Sequence, residues 1–540
     1  MFSKIENAFV LHHTDLNGVS CIILAQNYFK TLVSRNSYNA ILQELQEIVA
    51  EVYNCASALT YKYLSKENVL SAYKRLCEIY ETLEKGRKMS SSVTITDFLN
   101  NELVDYASYS TLRAIPSCID GFKNSHRKII YGALKSLTKE TKVNVFSGIV
   151  SVETQYLHGD LSPVCVTLAR DFCGSNNLPL LYPSGNFGSR LIPESSASRY
   201  IFIRKQDYFS KVILDDDLDI LEKQEFEGDE IEPRFFVPTI PLVLINGANG
   251  IATGFSSKIL QRDTKNIIEY LRNRLQGKEC DERLLLPQIK DFEGSITQDK
   301  ENTAKFSISG NIEIVNTNKK QIIITEVPIG YDLRTFSALL DKLEEKNVIK
   351  KYEDLSDDNR FKFVLHVDGK FLSKSKDEIL TALGLIKSFT ENYCVLDEYN
   401  KVLELNSAKE IIDYYISIKL KYLEKRKAFL IQKHTLKLNE LISVLTFIKM
   451  VLENEISLKT QNKAQIEKIL QSNNKIVSKN NSYDYLFKIP ILNLTPQKVQ
   501  DIELACSKLE KILKGLEKTT IQKMWIQDLD ELEKSLVLND

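Results

Sequence analysis

Arg113-Ala114-Ile115-Pro116-Ser117-Cys118-Ile119-Asp120-Gly121-Phe122-Lys123-Asn124-Ser125-His126-Arg127-Lys128-Ile129-Ile130-Tyr131-Gly132 is the stretch from which the rest of the chain is read. Pro116 and the Asp120-Gly121 pair interrupt regular structure. His126, Arg127 and Lys128 then open a segment of helical spacing. A turn that feeds a cation-rich helix suits phosphate twice, through side-chain charge and through the backbone N–H groups at the helix start. The same composition also describes a solvated basic helix face.

The bulk of the chain narrows the choice. Its 540 residues suggest three or four domains. A hydrophobic content of 43% with 26% charged residues describes a globular protein able to bury sizeable cores. No apolar run is long enough to span a bilayer, and Met1-Phe2-Ser3-Lys4 does not open a signal peptide, so an intracellular location is expected. Nine cysteines without a CxxC pair read as free thiols. The formal net charge of −1 carries no global signature of a polyanion binder, so any nucleic-acid site must be a local patch.

The organisation is multidomain α+β. Residues 1–90 form a separate block, and Met89-Ser90-Ser91-Ser92 reads as a linker before Thr94-Ile95-Thr96-Asp97, which can cap a helix. Residues 93–262 alternate helices with Gly-, Asn-, Ser- and Pro-rich turns. Residues 263–405 mix strands such as Gln321–Thr325 and Phe361–Leu365 with a helix near 333–346. Between Ser407 and Thr460 there is neither Pro nor Gly, and Ile411, Tyr415, Ile418 and Tyr422 recur at helical spacing. Such a helix needs a long partner, and the segment from Pro496, with Leu504, Leu509, Ile512, Leu513 and Leu516, supplies one. Residues 406–540 are therefore expected to form an antiparallel coiled-coil arm with a small globular tip near 465–495.

Four more motifs follow in order: Tyr156-Leu157-His158-Gly159-Asp160, Gly185-Asn186-Phe187-Gly188-Ser189-Arg190, Ser196-Ala197-Ser198-Arg199-Tyr200-Ile201 and Asn246-Gly247-Ala248-Asn249-Gly250-Ile251-Ala252-Thr253-Gly254. With the opening stretch, these five resemble the ordered motifs of type IIA DNA topoisomerase cleavage subunits, with a leaning to the T-even-phage form. Asn124 stands where that family usually has Pro. Thr325-Glu326-Val327-Pro328 and Tyr422-Leu423-Glu424-Lys425-Arg426-Lys427 extend the resemblance towards the C-terminus. It implies a winged-helix DNA-gate domain over 93–262, an α/β tower over 263–405 and a dimerising arm over 406–540.

The resemblance also implies chemistry. Tyr200 would be the nucleophile that becomes joined to a DNA 5′-phosphate, and a phenol with a pKa of about 10 suits a group that must later leave again. Arg199, Arg113 and His158 would contact the scissile phosphate, where positive charge stabilises the pentacovalent transition state. Lys123, His126, Arg127 and Lys128 would hold neighbouring DNA backbone, and Ile251 would wedge between base pairs, flanking glycines permitting close approach. On residue type alone, His158 also reads as a turn histidine and Ile251 as core.

The acidic run Asp215-Asp216-Asp217-Leu218-Asp219 reads as a solvated loop, not a metal site. The resemblance places Mg²⁺ on the Toprim domain, and ATP on the ATPase domain, of a partner subunit. The expected working assembly is a homodimer of this chain with that partner on double-stranded DNA. It should relax and decatenate without supercoiling, and the T-even resemblance implies a phage protein acting in the host cytoplasm. A non-cleaving winged-helix DNA clamp is the alternative. Separately, His12-His13-Thr14-Asp15-Leu16-Asn17-Gly18 resembles the first motif of DHH phosphoesterases, whose aspartates bind manganese. Asn17 is a poor ligand for a hard cation, so residues 1–90 are expected to be a remnant or docking module.

Overall fold

The computed structural model describes residues 95–537 apart from 317–319, 358–359, 459 and 480. The DHH-like reading of residues 1–90 and the Thr94 cap lie outside the described residues. No described helix is long and apolar enough to cross a membrane, and the six described cysteines are free.

The chain divides into two compact units. The first takes residues 95–116 together with Asn249–Lys258 and Cys394–Glu404. Its helix Glu102–Ala114 stops where Ile115 turns extended ahead of Pro116, a residue that disfavours helix before it. Ile115 is fully buried with Cys394 and Leu396, and Leu112, Ala252 and Val402 close round them. Leu396 N donates to Pro116 O at 2.9 Å, which fastens a hairpin of the C-terminal half to the end of this helix.

In the second unit three helices pack pairwise: α1 (Asn124–Ser136), α2 (Val143–Glu153) and α3 (Ser162–Ala169). Helix α2 buries Val143, Phe146, Ser147 and Val150, the i, i+3, i+4, i+7 stripe of a one-sided helix. Beside it lies a three-stranded sheet of β1 (Thr141–Lys142), β2 (Leu181–Ser184) and β3 (Phe202–Lys205), with β3 in the centre and both pairings antiparallel. Further on, a four-stranded antiparallel sheet runs in the order Asn311–Asn316, Gln321–Glu326, Phe363–His366, Lys351–Asp354. Ile322 and Ile324 alternate inward from it against Phe336 and Leu340 of helix Leu333–Glu345. That helix starts at a capping box in which Thr335 N donates to Asp332 Oδ1.

The long helix spans Ala408–Leu452, and Ile411, Tyr415, Ile418 and Tyr422 are all buried, as their spacing required. It packs along Pro496–Lys518, and the segment between them builds a core of its own in which Ile466, Leu470 and Leu486 meet Phe447 of the long helix. Two details differ from the reading of the sequence. The seam on the return helix is Ile502, Cys506 and Leu509, which turns Leu504 and Ile512 outward to 59% and 46% exposure. The closing segment is also two helices, because the chain breaks at Thr519-Thr520 and Ile521–Val537 folds back. There Trp525 Nε1 donates to Thr239 O at 2.9 Å and its ring meets Tyr415 edge-on.

The acidic run is exposed at Asp215, Asp216 and Asp219, as a solvated loop would be, and departs from that reading at Asp217. Asp217 is buried between Lys419 and Arg426, each 3.8 Å away, while Asp216 and Asp219 lie 3.7 and 3.6 Å from Lys433. All three cations belong to the long helix, so the run serves to seat it. Burial raises the Asp217 carboxyl above its ordinary value in spite of these cations.

Candidate active site

Helix α2 places two of the motifs. At its first turn Val143 N donates to Ile201 O at 3.1 Å and Asn144 N to Ser198 O at 3.4 Å, so the segment around Tyr200 is tied to the start of the helix. Three residues on, roughly 4.5 Å along the axis, Ser147 Oγ donates to Asp160 Oδ1 at 2.8 Å and accepts from Leu161 N at 3.1 Å. Asp160 also accepts from Ser162 N, and although burial opposes it, the bonds from Ser162 and Ser147 hold its carboxyl below the usual range. A single helix thus carries the tyrosine turn at its start and fixes the loop holding His158 one turn later.

Tyr200 occupies a turn closed by Tyr200 N donating to Ala197 O, immediately before β3. Ile201 is buried, and this anchor leaves Tyr200 itself 68% exposed. The Arg199 guanidinium lies 5.1 Å from the centre of the tyrosine ring. A neighbouring guanidinium can accompany the phenol oxygen to a phosphate and offset the charge of its ionised form. His158 is exposed, its ring edge-on to Tyr156 at 5.8 Å.

The basic stretch behaves differently from its reading as DNA contacts. Arg127 is only 4% exposed: its Nε donates to Asp120 Oδ2 at 2.9 Å, its Nη1 to Asn124 Oδ1 and its Nη2 to Phe122 O. Lys128 Nζ donates to Thr154 O at 2.9 Å and pairs with Glu232 at 2.7 Å. Both cations hold the fold. His126 is pushed down to about 3 by burial, and further by Lys123 and Arg127, which keeps it neutral. With its folded value below the ordinary 6.5, the imidazole contributes stability above that pH and loses it on acidification. An NMR titration of His126 is therefore expected to show no protonation through 6.5, and a midpoint there would contradict the geometry. Lys123 is half-buried, and burial lowers its ammonium below the ordinary value.

Arg113 and Ile251 belong to the first unit. Arg113 is exposed at the end of helix Glu102–Ala114, where its Nη1 donates to Tyr109 Oη at 3.0 Å. Ile251 stands at the end of strand Ala248–Ile251 and is 73% exposed, which removes the core reading. The hairpin that presents it is held by Thr253 N donating to Ser110 Oγ. Gly250 lies so close to Ala114 O that an added Cβ would collide with backbone. Replacing Gly250 by Ala is expected to cost roughly 1–3 kcal/mol and to displace Ile251. Thermal melting checks it, and an unchanged melting temperature would contradict the close approach.

Sequence reading missed Ser147 and Arg170, neither of which lies within a recognised motif, and undervalued Asp120, which has no exposed surface and accepts from Phe122 N, Phe236 N and Arg127.

Comparison with known proteins gives a consistent set of similarities. Residues 113–530 match the family described as the A-subunit of DNA gyrase/topoisomerase IV. The mitochondrial DNA topoisomerase 2 of Dictyostelium discoideum is 30% identical over 463 residues, covering 83% of this chain and 36% of that protein. DNA topoisomerase 2 of Acanthamoeba polyphaga mimivirus is 29% identical over 517 residues, covering 81% of this chain and 40% of that protein. The chain thus spans well under half the length of these relatives. Among solved structures, the DNA-binding, cleavage and re-ligation domain of Plasmodium falciparum topoisomerase II superposes with a TM-score of 0.75 at 26% identity, covering 91% of this chain and 77% of that one.

Proposed function

We propose, from the premise that this chain belongs to the family of DNA gyrase/topoisomerase IV A-subunits, that it is the DNA-breaking and rejoining part of a type II topoisomerase. The observation that carries this reading is Tyr200 itself: an exposed phenol on a turn anchored by Ile201, with the Arg199 guanidinium beside its ring. Its exposure leaves the phenol oxygen open to a phosphate. This favours cleavage over a clamp that only holds DNA.

In the proposed step the exposed Tyr200 phenol gives up its proton to solvent water and its oxygen attacks a backbone phosphorus, forming an Oη–P bond to the 5′-phosphate. The P–O3′ bond breaks, and the departing 3′ oxygen takes up a proton as the free hydroxyl. Rejoining is the reverse, with the phenolate as leaving group, so the phosphodiester energy is conserved. Arg199, His158 and Arg113 stabilise charge on the phosphate oxygens. Lys123 contacts adjacent backbone, and Ile251 enters the base stack where a bend is required. Arg127 and Lys128 are left out of the DNA contacts because their donors are spent inside the fold.

The reading takes residues 93–262 as a winged-helix DNA gate, 263–405 as the tower and 406–540 as a coiled-coil arm through which two copies join. We assign Mg²⁺ to the Toprim domain, and ATP to the ATPase domain, of a partner polypeptide. The carboxylates of Asp216, Asp217 and Asp219 fit a metal poorly, being committed to Lys433, Lys419 and Arg426. The metal would supply positive charge at the phosphate.

The test mixes the full chain with its partner, Mg²⁺ and circular duplex DNA and stops the reaction with denaturant. Protein linked to broken 5′ ends is expected. DNA that is bound but never linked would support the clamp instead.

A further inference from the structure

The tyrosine turn hangs from a loop, Asn186–Ser196, that is closed at its neck by Ser196 N donating to Asn186 O at 3.0 Å. Its far end is fixed. Arg190 donates to Tyr331 O and Val327 O, each at 2.9 Å, and Leu191 is buried in the core of the four-stranded sheet, where its carbonyl accepts from Leu333 N. Across the middle of the loop lies Arg170, the residue that ends α3. Its Nε donates to Phe187 O at 3.2 Å and its Nη2 to Pro193 O at 2.6 Å, one guanidinium joining both limbs. Gly188 packs so tightly on Pro193 O that a Cβ there would collide, so the limbs touch where the arginine bridges them.

We infer that Arg170 is a positioning residue for Tyr200. The inference rests on Tyr200 being the nucleophile. Helix α3 follows directly from His158-Gly159-Asp160, so Arg170 ties the loop that leads to Tyr200 to the helix that begins at the His158 loop. Without the bridge two carbonyls lose their donors and the middle of the loop loses the side chain that spans its limbs. The neck at Ser196 shifts with them, and Ser196 stands four residues before Tyr200. In-line attack tolerates little of this, because about 1 Å of misplacement at a reacting centre costs on the order of 10²-fold in rate. A planar guanidinium can present two N–H groups to two carbonyls in fixed geometry, which an ammonium cannot.

The experiment uses the full chain with its partner and Mg²⁺ on a nicked duplex and measures the single-turnover rate of protein–DNA linkage. Arg170→Ala is expected to slow linkage about 10²-fold with DNA affinity and melting temperature close to the parent, and added guanidinium ion should restore part of the rate. Linkage at the parental rate would overturn the inference, as would a loss matched by weaker DNA binding and unmoved by guanidinium. If Arg170→Ala does not fold, Arg170→Lys carries the test: slow linkage with normal DNA binding supports positioning, and parental linkage overturns it. A parent chain that forms no linkage, or a Tyr200→Phe chain that does, defeats the nucleophile reading instead.

Discussion

Tyr200→Phe is expected to lower covalent linkage to DNA by at least ~10⁴-fold, the scale of losing a nucleophile outright, while leaving DNA binding intact. The substitution removes one exposed hydroxyl. The ring keeps its place beside Arg199, and Ile201 still anchors the turn, so stability should change by no more than about 0.5 kcal/mol. Loss of linkage in a fully folded, DNA-binding protein is the signature of a removed reacting atom. Equal losses of linkage and DNA affinity would instead assign Tyr200 a binding role.

The second large effect is structural. Asp120→Ala removes an acceptor that serves Phe122 N, Phe236 N and the Arg127 guanidinium at once, in a place without solvent. The exchange leaves a buried cation without its counterion, which typically costs roughly 3–5 kcal/mol. Asp120 also joins the turn before α1 to the segment at Phe236, residues 116 apart in the chain, so both ends loosen together. Chemical denaturation measures it directly. A loss under about 1 kcal/mol would mean that Asn124 and Phe122 O suffice to hold Arg127.

The sequence was most legible where chemistry restricts residue choice. Tyr200, Arg199 and Ile251, singled out from their motifs, stand exposed on a turn and a hairpin, where the proposed roles of nucleophile, charge partner and wedge would need them. The long helix was legible because neither Pro nor Gly falls between Ser407 and Thr460 and because Ile411, Tyr415 and Ile418 keep one face, although it ends at Leu452, ahead of the left-handed Asn454. Within the basic run, Arg127 and Lys128 are committed inside the fold for a geometric reason. Successive helical residues point about 100° apart, so His126, Arg127 and Lys128 cannot all face one phosphate backbone. Arg127 shares its face with Ile130 and Tyr131, both buried, and that i, i+3, i+4 relation was available from the sequence.

Other features left no local trace. The acidic run shows its role only when Lys419, Arg426 and Lys433 arrive from two hundred residues away. The fold-back of Ile521–Val537 is held by partners far off in the chain, Thr239 O for Trp525 and Arg272 for Asp530 and Glu533. Arg170 has no motif, since its partners are two backbone carbonyls that any residues could supply.

The most direct test of the account is to trap the denatured protein–DNA adduct, digest both components and identify by mass spectrometry which peptide bears the nucleotide and through which end. The expected product is the peptide containing Arg199-Tyr200-Ile201, with a 5′-phosphate esterified to Tyr200 Oη and a free 3′-hydroxyl on the other fragment. An adduct on any other residue, or a 3′-phosphate linkage, would contradict it.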